Sequence, residues 1–467
     1  MIWHITKREI YDNLNSLRFA LATVLLLGLM LTNAFVHLRE HPERMQKYHD
    51  GVTESLNQLQ SQTDLYRIAQ YGPGLLHKKP SPLHFCAEGG DTVIPNTVYM
   101  RISVITHDLV GFWQLDYRPT RLNSKNIRPD SIKVDWGFVI GYILSLIAIL
   151  FTFDSISGER ERGTLRLTLA YAVARHTVLI GKFLGALLCI SIPFALATLI
   201  NLFVISTSSD VQLGTDAWSR LGIIFFIAIL YLCLFIALGL LISSFVQRNA
   251  ASLVTLLLIW VTFVVFMPST LASIASGFSN PMTYDEFLER QTHIQSEFRD
   301  EYLSRLEGTG GFPNKRMQLA GEYVIKEVAA RERLSHEYLD QQHIQIQQAR
   351  SVTRLSPVAI VQHLLEAFAG TGFKRHQQFV ENVQDYAREY REFVIDMDRS
   401  DPGSLHIIGA REGMSKKPIS PETIPTFEDS LSLSRDFKTV VVDMFLLTLF
   451  FVVLLYGACL AFLHVEI

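Results

Sequence analysis

The stretch from Asp154 to Leu184 reads DSISGERERGTLRLTLAYAVARHTVLIGKFL and separates two strongly apolar runs of the chain. Its first third alternates glutamate and arginine between two glycines, Gly158 and Gly163. The apolar runs on both sides are long enough to cross a bilayer, which takes roughly 20 residues per helix. The stretch therefore predicts a charged hairpin at a membrane surface, where a partner in the adjacent aqueous compartment can bind the protein.

The rest of the 467-residue chain fits a membrane protein, because 49% of its residues are hydrophobic and they are concentrated in six long runs. Lipid cannot satisfy open backbone groups, so these runs must be helices. We predict a mainly α, polytopic membrane protein with six transmembrane helices and two extracytoplasmic insertions, a small mixed α/β one and a larger helical one. The predicted spans are residues 17–36, 136–153, 183–206, 218–246, 253–275 and 440–463.

The first sixteen residues are polar and amphipathic, and no small-residue cleavage site follows them, so they do not indicate a cleaved signal peptide. We predict that residues 1–16 form an interfacial helix; a solvated leader before the first span is the alternative. The apolar residues that would face lipid are Trp3, Ile5, Ile10 and Leu14, and those that would face headgroups are Lys7 and Arg8.

Charges beside the spans predict the orientation, because Lys and Arg accumulate in short cytoplasmic loops. The loop 207–217 between spans 3 and 4 has no Lys or Arg. With both termini in the cytoplasm, the long segments 37–135 and 276–439 lie outside, and residues 154–182 lie inside. The basic residues that support this topology are Lys7, Arg8, Arg18, Arg160, Arg162, Arg166, Arg175, Lys182 and Arg248.

The two long segments differ in their patterns. In the first, the helix-prone stretch Glu43–Tyr71 precedes Gly- and Pro-rich turns and an extended stretch, Val98–Ile105, which predicts a small mixed domain. The second is mostly helical, with long helices predicted at Tyr284–Glu307 and Arg316–Arg350. A shorter apolar helix follows, with Ser356 as its cap and Pro357 in its first turn, then an amphipathic helix, Phe373–Asp398, and a Pro- and Ser-rich loop, Asp401–Asp436.

Several kinds of chemistry have no support in the sequence. There is no GxxxxGK[ST] phosphate loop, because Gly181-Lys182 is followed by Phe183 and lacks the preceding glycine. HExxH, CxxC and GxSxG motifs are also missing, and the net charge of −3 gives no basic face for nucleic acid. Cys86 is the one cysteine in the two long segments, so neither can form an internal disulfide. We expect no catalytic residue, cofactor or metal site in this chain.

The charged hairpin resembles the cytoplasmic coupling region of type-2 ATP-binding-cassette (ABC) exporter permeases. In that family a span is followed by GE-x-E-x-GTL, a surface helix, and GK opening the next span; here the match is Ser157–Leu165 and Gly181-Lys182. Six spans in this arrangement cover essentially the whole chain, and the second long segment resembles a subgroup with large helical outside domains. One departure is Ala170-Tyr171-Ala172, where the family often has a Ser-Asn-Pro-like turn.

The resemblance implies a permease subunit that exports a substrate while two copies of a separate ATPase subunit bind ATP and Mg²⁺. It also implies a second permease protomer, identical or paralogous, a bacterial inner membrane, and room for a periplasmic partner. Glu159, Glu161 and Arg162 would make charged contacts to the ATPase, and Gly163 would allow the sharp entry to a surface helix, Arg166–Val173. The predicted coupling residues are Gly158, Glu159, Arg160, Glu161, Arg162, Gly163, Thr164 and Leu165.

A translocation path between two protomers would be lined by polar positions in the spans. Thr198 and Asn201 in span 3 and Thr255 and Thr262 in span 5 are the candidates, although such residues also bond neighbouring helices. Asp443 is the one acid clearly within a span, and an ionisable residue there needs a partner or water.

Two other functions stay open at this point. A membrane sensor or scaffold would explain the large outside segments equally well, and an intramembrane enzyme would need a constellation of residues that the sequence lacks. Co-purification with an ABC ATPase separates transport from both. The sequence does not indicate the substrate.

Overall fold

The structure is a computed structural model that carries side chains. It describes residues 2–62, 64–89, 95–106, 109–117, 134–170, 174–208, 211, 213–277, 281–308, 313–408, 412–431 and 433–464. The predicted fold class is confirmed, because most of the described chain is helical and six helices are long and apolar enough to cross a membrane. We call them spans 1 to 6: Leu17–Gln60, Trp136–Glu161, Arg175–Ser206, Thr215–Phe245, Asn249–Ala275 and Val440–Leu463.

The helix of span 1 is much longer than the membrane requires. The apolar run ends near Val36, but the helix continues without interruption to Gln60 and passes through Pro42. Hydropathy marks where lipid contact ends, whereas a helix ends only where a stop signal or a competing contact ends it. The helix-prone stretch that begins at Glu43 is therefore the continuation of span 1, and a separate helix, Leu65–Tyr71, follows it.

Other spans also differ from the predicted bounds. The helix of span 3 begins at Arg175, so Lys182 lies two turns inside it and does not close the preceding loop. Span 2 is π-helical over Val139–Leu144, and span 5 is π-helical over Val261–Phe266 before it continues as Met267–Ser276. The helix of span 6 starts at Leu433, before its apolar window.

The first insertion contains a three-stranded antiparallel sheet in the order β1-β2-β3, which confirms the mixed α/β prediction. The strands are Gly74–His77 (β1), Thr97–Thr106 (β2) and Leu109–Tyr117 (β3), and Tyr99 of the middle strand lies opposite Leu75 and Asp116. Gly72 and Gly74 have φ of 57° and 75°, a left-handed conformation that favours glycine at the turn into β1.

The second insertion is helical, as predicted, and it packs with the first around one apolar core. Phe379, Val383 and Tyr390, predicted on one face of a single helix, are all buried in that core, and the Tyr390 hydroxyl donates to the Ile68 carbonyl oxygen at 2.9 Å. We call the two insertions together the extramembrane unit. Its remaining helices are Tyr284–Glu307, Pro313–Thr353, Pro357–Ala369 and Gly372–Arg399, and the loop that follows contains the 3₁₀ turn Pro421–Thr423.

Asp135 joins the first insertion to the start of span 2. One of its carboxylate oxygens accepts from the Phe138 backbone N–H at 2.7 Å, and the other accepts from the Glu88 N–H at 3.0 Å. Burial raises the pKa of this carboxyl to about 6, although the hydrogen bond from Phe138 acts in the opposite direction. The folded state therefore disfavours the ionised form of Asp135.

This pKa predicts a pH dependence of stability. A carboxyl with a folded pKa above its unfolded value of 3.8 costs the folded state stability as pH rises from about 4 through about 6. Asp135→Asn removes that titration, so the unfolding temperature of the variant relative to wild type should rise between pH 4 and pH 7. Thermal unfolding of both proteins in detergent across this range is the measurement. If the unfolding temperatures of the two proteins changed in parallel from pH 4 to pH 7, the raised pKa of Asp135 would be contradicted.

Candidate functional site

The charged hairpin folds into two short helices joined at a glycine. Ser157–Glu161 forms the first helix and Thr164–Ala170 the second. Gly163 lies between them with φ of 73°, so a left-handed residue makes the sharp turn that the sequence predicts. The surface helix expected at Arg166–Val173 thus begins at Thr164, and residues 171–173, including most of the departure from the family pattern, lie outside the described residues. We call the two helices the coupling helices.

Lys182 connects the coupling helices to the N-terminal helix, Ile2–Leu14. Its ammonium nitrogen donates to the carboxylate of Glu9 at 2.6 Å and to that of Glu159 at 2.8 Å. The lysine side chain is only 3% exposed, and both glutamates are 21% exposed. Three segments that are distant in the sequence therefore meet at one largely desolvated cation.

The N-terminal helix packs directly on span 3. A Cβ at Gly181 would lie 2.8 Å from Ile5 Cγ2, and one at Gly185 would lie 2.6 Å from Glu9 Cβ, so two glycines allow this close approach. The buried Thr6 hydroxyl also donates to the Gly181 carbonyl oxygen at 3.2 Å.

This packing divides the apolar residues that were predicted to face lipid. Ile5 and Ile10 point inward and contact the core of the spans, whereas Trp3 and Leu14 are 65% and 45% exposed. The prediction was therefore wrong for the two isoleucines, because the helix has a protein-facing side as well as an exposed apolar side. Helical periodicity alone does not distinguish a lipid from a protein surface.

The first coupling helix is also bonded to the end of span 4 and to the start of span 5. The Ser243 hydroxyl oxygen accepts from the backbone N–H groups of Ile156 and Ser157 at 3.0 Å each, and it donates to the Phe153 carbonyl at 2.9 Å. Ser157 donates to the Asn249 side chain at 2.8 Å. Four of the six spans thus converge on the coupling helices, which lie opposite the extramembrane unit on a side that we call the coupling face.

The predicted coupling residues divide into an inner and an outer set. Gly158 and Leu165 are buried, and Glu159 is committed to Lys182. Arg160 is half-buried, while Glu161 and Arg162 are exposed, although the Glu161 carboxylate accepts from the Asn249 N–H at 3.1 Å. The second helix adds an exposed apolar residue, Leu167. Among residues 157–167, whose burial the structure describes, the exposed ones are Glu161, Arg162, Gly163, Thr164, Arg166 and Leu167.

Asn201, one of the predicted path residues, lies in the interior of the protomer. Its amide donates to the Met30 carbonyl at 2.6 Å and to the Asn33 side chain at 2.9 Å, and its oxygen accepts from Trp136 Nε1 at 3.3 Å. Asn201 is fully buried, and Asn33 continues the network to the carbonyl oxygens of Phe85 and Val134. The observed contacts of Asn201 join spans 1, 2 and 3, which is the alternative that the sequence left open.

The other path candidates lie in different environments. Thr198 is buried near Asn201, whereas Thr255 is half-buried and Thr262 is exposed on span 5. Only 17% of the apolar window of span 5 is buried within the protomer, the smallest share of the six spans. Thr262 is thus available to a partner or to lipid, and its role in a path stays a prediction.

The comparisons with known proteins agree with this arrangement. The sequence model of the family described as ABC-2 family transporter protein matches residues 3–463, nearly the whole chain.

The chain belongs to the ABC-2 transporter family.

Two relatives described as probable ABC transporter permease protein NosY are similar to part of this ABC-2 permease. The protein from Pseudomonas aeruginosa is 33% identical over 138 residues, which are 28% of this chain and 48% of the relative. The protein from Stutzerimonas stutzeri is 30% identical over 147 residues, which are 30% of this chain and 52% of the relative. The aligned region therefore spans about half the length of each relative.

The sequence indicated the coupling segment of this ABC-2 permease but not the contacts of Lys182 with Glu9 and Glu159. Glu9 was not singled out, although it is one of two acids on the amphipathic N-terminal helix, with Asp12, and an acid close to a span needs a cation or water. Glu159 was expected to face a partner, and its observed contact with Lys182 depends on the early start of the span 3 helix. Its role toward an ATPase stays a prediction.

The Lys182 contacts predict a specific stability effect. Lys182→Met leaves two carboxylates facing each other at a largely buried position, so it should cost about 3–5 kcal/mol of folding free energy. Adding Glu9→Gln and Glu159→Gln should recover most of the loss. Thermal unfolding in detergent measures both effects.

A matched control is Lys326→Met, because Lys326 pairs with Glu322 at 2.8 Å but both side chains are about half exposed. An exposed pair contributes roughly 0–1 kcal/mol. If Lys182→Met were no more damaging than Lys326→Met, the buried connection would not hold the N-terminal helix and the coupling helices together.

Proposed function

We propose that this ABC-2 permease exports a substrate from the cytoplasm of a bacterium, driven by a separate ATPase subunit that docks on the coupling face. The observation that carries the proposal is the pair of coupling helices, which expose charged and apolar residues outward. The first of them bonds inward to span 3, to the end of span 4 and to the start of span 5, and it is joined to the N-terminal helix through Lys182. A displacement of the coupling helices by the ATPase would therefore move several spans together.

The chemistry of the motor would lie in the partner. This chain has no phosphate loop, so ATP and Mg²⁺ would be bound by two copies of a separate ABC ATPase. The two ATPase copies would close on each other when ATP is bound. Their closure would move the coupling helices, and the Lys182 connection would pass that movement to the N-terminal helix and span 3. The two relatives are described as permease proteins, which supports a division of labour between membrane and ATPase subunits.

The orientation follows from charge. The coupling face carries Arg160, Arg162 and Arg166, and basic residues in short loops favour the cytoplasmic side. We therefore propose that the protein lies in the inner membrane, with the coupling face and both termini on the cytoplasmic side. The extramembrane unit would then lie on the opposite side. There it would be available to a periplasmic partner.

A second permease protomer, identical or paralogous, would complete the path. Span 5 offers an uncovered apolar surface, and residues such as Val254, Leu258 and Phe266 are 65%, 67% and 59% exposed. We propose that a second protomer covers part of this surface, with Thr255 and Thr262 near the path between the two.

Docking is tested by changing the exposed surface alone. The double variant Arg162→Glu and Leu167→Glu inserts charge where both side chains are exposed, so it should reduce recovery of the ATPase subunit in affinity purification at least about ten-fold without changing thermal stability. The matched control is Lys326→Glu with Ile325→Glu, which alters one exposed cation and one exposed apolar residue on the extramembrane unit.

Equal recovery of the ATPase by both double variants would reject this docking surface. If the wild-type protein recovered no ATPase at all, the sensor or scaffold function would be favoured instead. A cysteine at Glu161 that reacts with a membrane-impermeant maleimide in intact spheroplasts would place the coupling face outside and reject the proposed orientation.

A further inference from the structure

A helix of the extramembrane unit lies within the core of the membrane spans. We call Pro357–Ala369 the clamp helix; nine of its thirteen residues are buried, and eight of these belong to the same apolar cluster as the spans. Gly141 of span 2 allows a close approach, because a Cβ at this position would lie only 2.8 Å from Val358 Cγ2 of the clamp helix. The clamp helix also packs on spans 4 and 6.

The first link joins the clamp helix to span 5. The Ser356 hydroxyl was predicted to cap its own helix, but it donates to the Phe263 carbonyl oxygen at 2.7 Å and is fully buried. Phe263 lies in the π-helical segment, where a carbonyl pairs with the N–H five residues later. That residue is Pro268, which has no N–H, so Ser356 supplies the missing donor.

The second link joins the residues before the clamp helix to span 6. Arg354 Nε donates to one oxygen of the Asp443 carboxylate at 2.5 Å, and its Nη2 donates to the other at 3.3 Å. The Asp443 side chain is only 5% exposed. The acid that the sequence placed within a span thus has its partner in the extramembrane unit.

The third link is at the opposite end of the clamp helix. The buried Arg220 of span 4 pairs with Asp436, at the start of the span 6 helix, at 2.7 Å. Its Nη1 also donates to the carbonyl oxygen of Phe368, in the last turn of the clamp helix, at 3.3 Å. Gln378 of the next helix donates to Asp436 at 2.8 Å. Both ends of the clamp helix are therefore tied to spans by buried polar contacts.

We propose that the clamp helix joins the extramembrane unit to the adjacent halves of spans 4, 5 and 6, so that they move as one body during transport, with Ser356 as the residue that positions span 5. The inference rests on the proposed function for the transport cycle itself. Sliding span 5 past the extramembrane unit would leave the Phe263 carbonyl without a donor near lipid, where an unsatisfied backbone group is strongly unfavourable.

The link to span 5 is tested on the permease alone. Ser356→Ala should accelerate amide hydrogen exchange in residues 264–276 about ten-fold, because it removes one buried hydrogen bond. Pro268→Ala restores an N–H that can pair with Phe263, so in that background Ser356→Ala should have at most about a two-fold effect. The control Ser351→Ala, which removes an exposed hydroxyl bonded to Gln347, should leave exchange in residues 264–276 unchanged.

The two backgrounds make the result decisive. If Ser356→Ala had no effect, or had the same effect with and without Pro268, Ser356 would not be satisfying the π-helical carbonyl and the proposal would be overturned. A general loss of folding would instead accelerate exchange throughout the spans, and it would persist in the Pro268→Ala background.

The movement is tested in the complex with the ATPase, by spin-label distances with and without ATP and vanadate. In a Cys459→Ala background, labels at Ser269 of span 5 and Asp396 of the extramembrane unit should keep their distance within about 2 Å, whereas labels at Asn15 and Asp396 should change distance. The other three cysteines are buried. In Ser356→Ala, the Ser269–Asp396 distance should change with nucleotide.

The outcomes separate the two proposals. A wild-type complex that fails to form, or in which the Asn15–Asp396 distance does not respond to nucleotide, contradicts the proposed function, and the hydrogen-exchange comparison still decides the Ser356 link. A complex that responds at Asn15 but also changes its Ser269–Asp396 distance contradicts the clamp.

Discussion

Lys182 holds two acids from distant parts of the chain, and the arrangement of the coupling face depends on that contact. A lone lysine inside a span would be costly, and so would each glutamate. Together they bring the N-terminal helix, the first coupling helix and span 3 to one point, with Gly181 and Gly185 allowing the close approach. The exposed side of the coupling helices therefore lies next to elements that are bonded to the spans.

The same constraint acts at the other side of the membrane, where backbone groups rather than charges need partners. Span 5 has a carbonyl left without its helical donor by Pro268, and Asp443 and Arg220 are charged groups in buried positions. The extramembrane unit supplies a partner for each of them. It is thus joined to the spans through polar contacts that lipid cannot replace, in addition to the apolar packing of the clamp helix.

These two sets of contacts suggest a mechanical division of the protomer. At the coupling face, Lys182 and Ser243 connect the coupling helices to spans 3 and 4. At the extramembrane side, the clamp helix connects spans 4, 5 and 6. Spans 4 and 5 belong to both sets, because Asn249 at the start of span 5 also bonds to the first coupling helix, so these two spans connect the two sides of the protomer. The Asn201 network holds spans 1, 2 and 3 together in the same way.

The sequence by itself determined the six spans, the charged hairpin and the mixed and helical character of the two insertions, because hydropathy, charge and Gly or Pro positions act locally. Only the tertiary structure decided which polar residues meet: Glu159 with Lys182, Asn201 with Asn33, Ser356 with the Phe263 carbonyl. It also decided that the span 1 helix continues to Gln60 and that Ile5 faces protein. The physical reason is that a desolvated polar group needs a partner, but its position along the chain does not specify which of several distant groups the fold will bring within hydrogen-bonding distance.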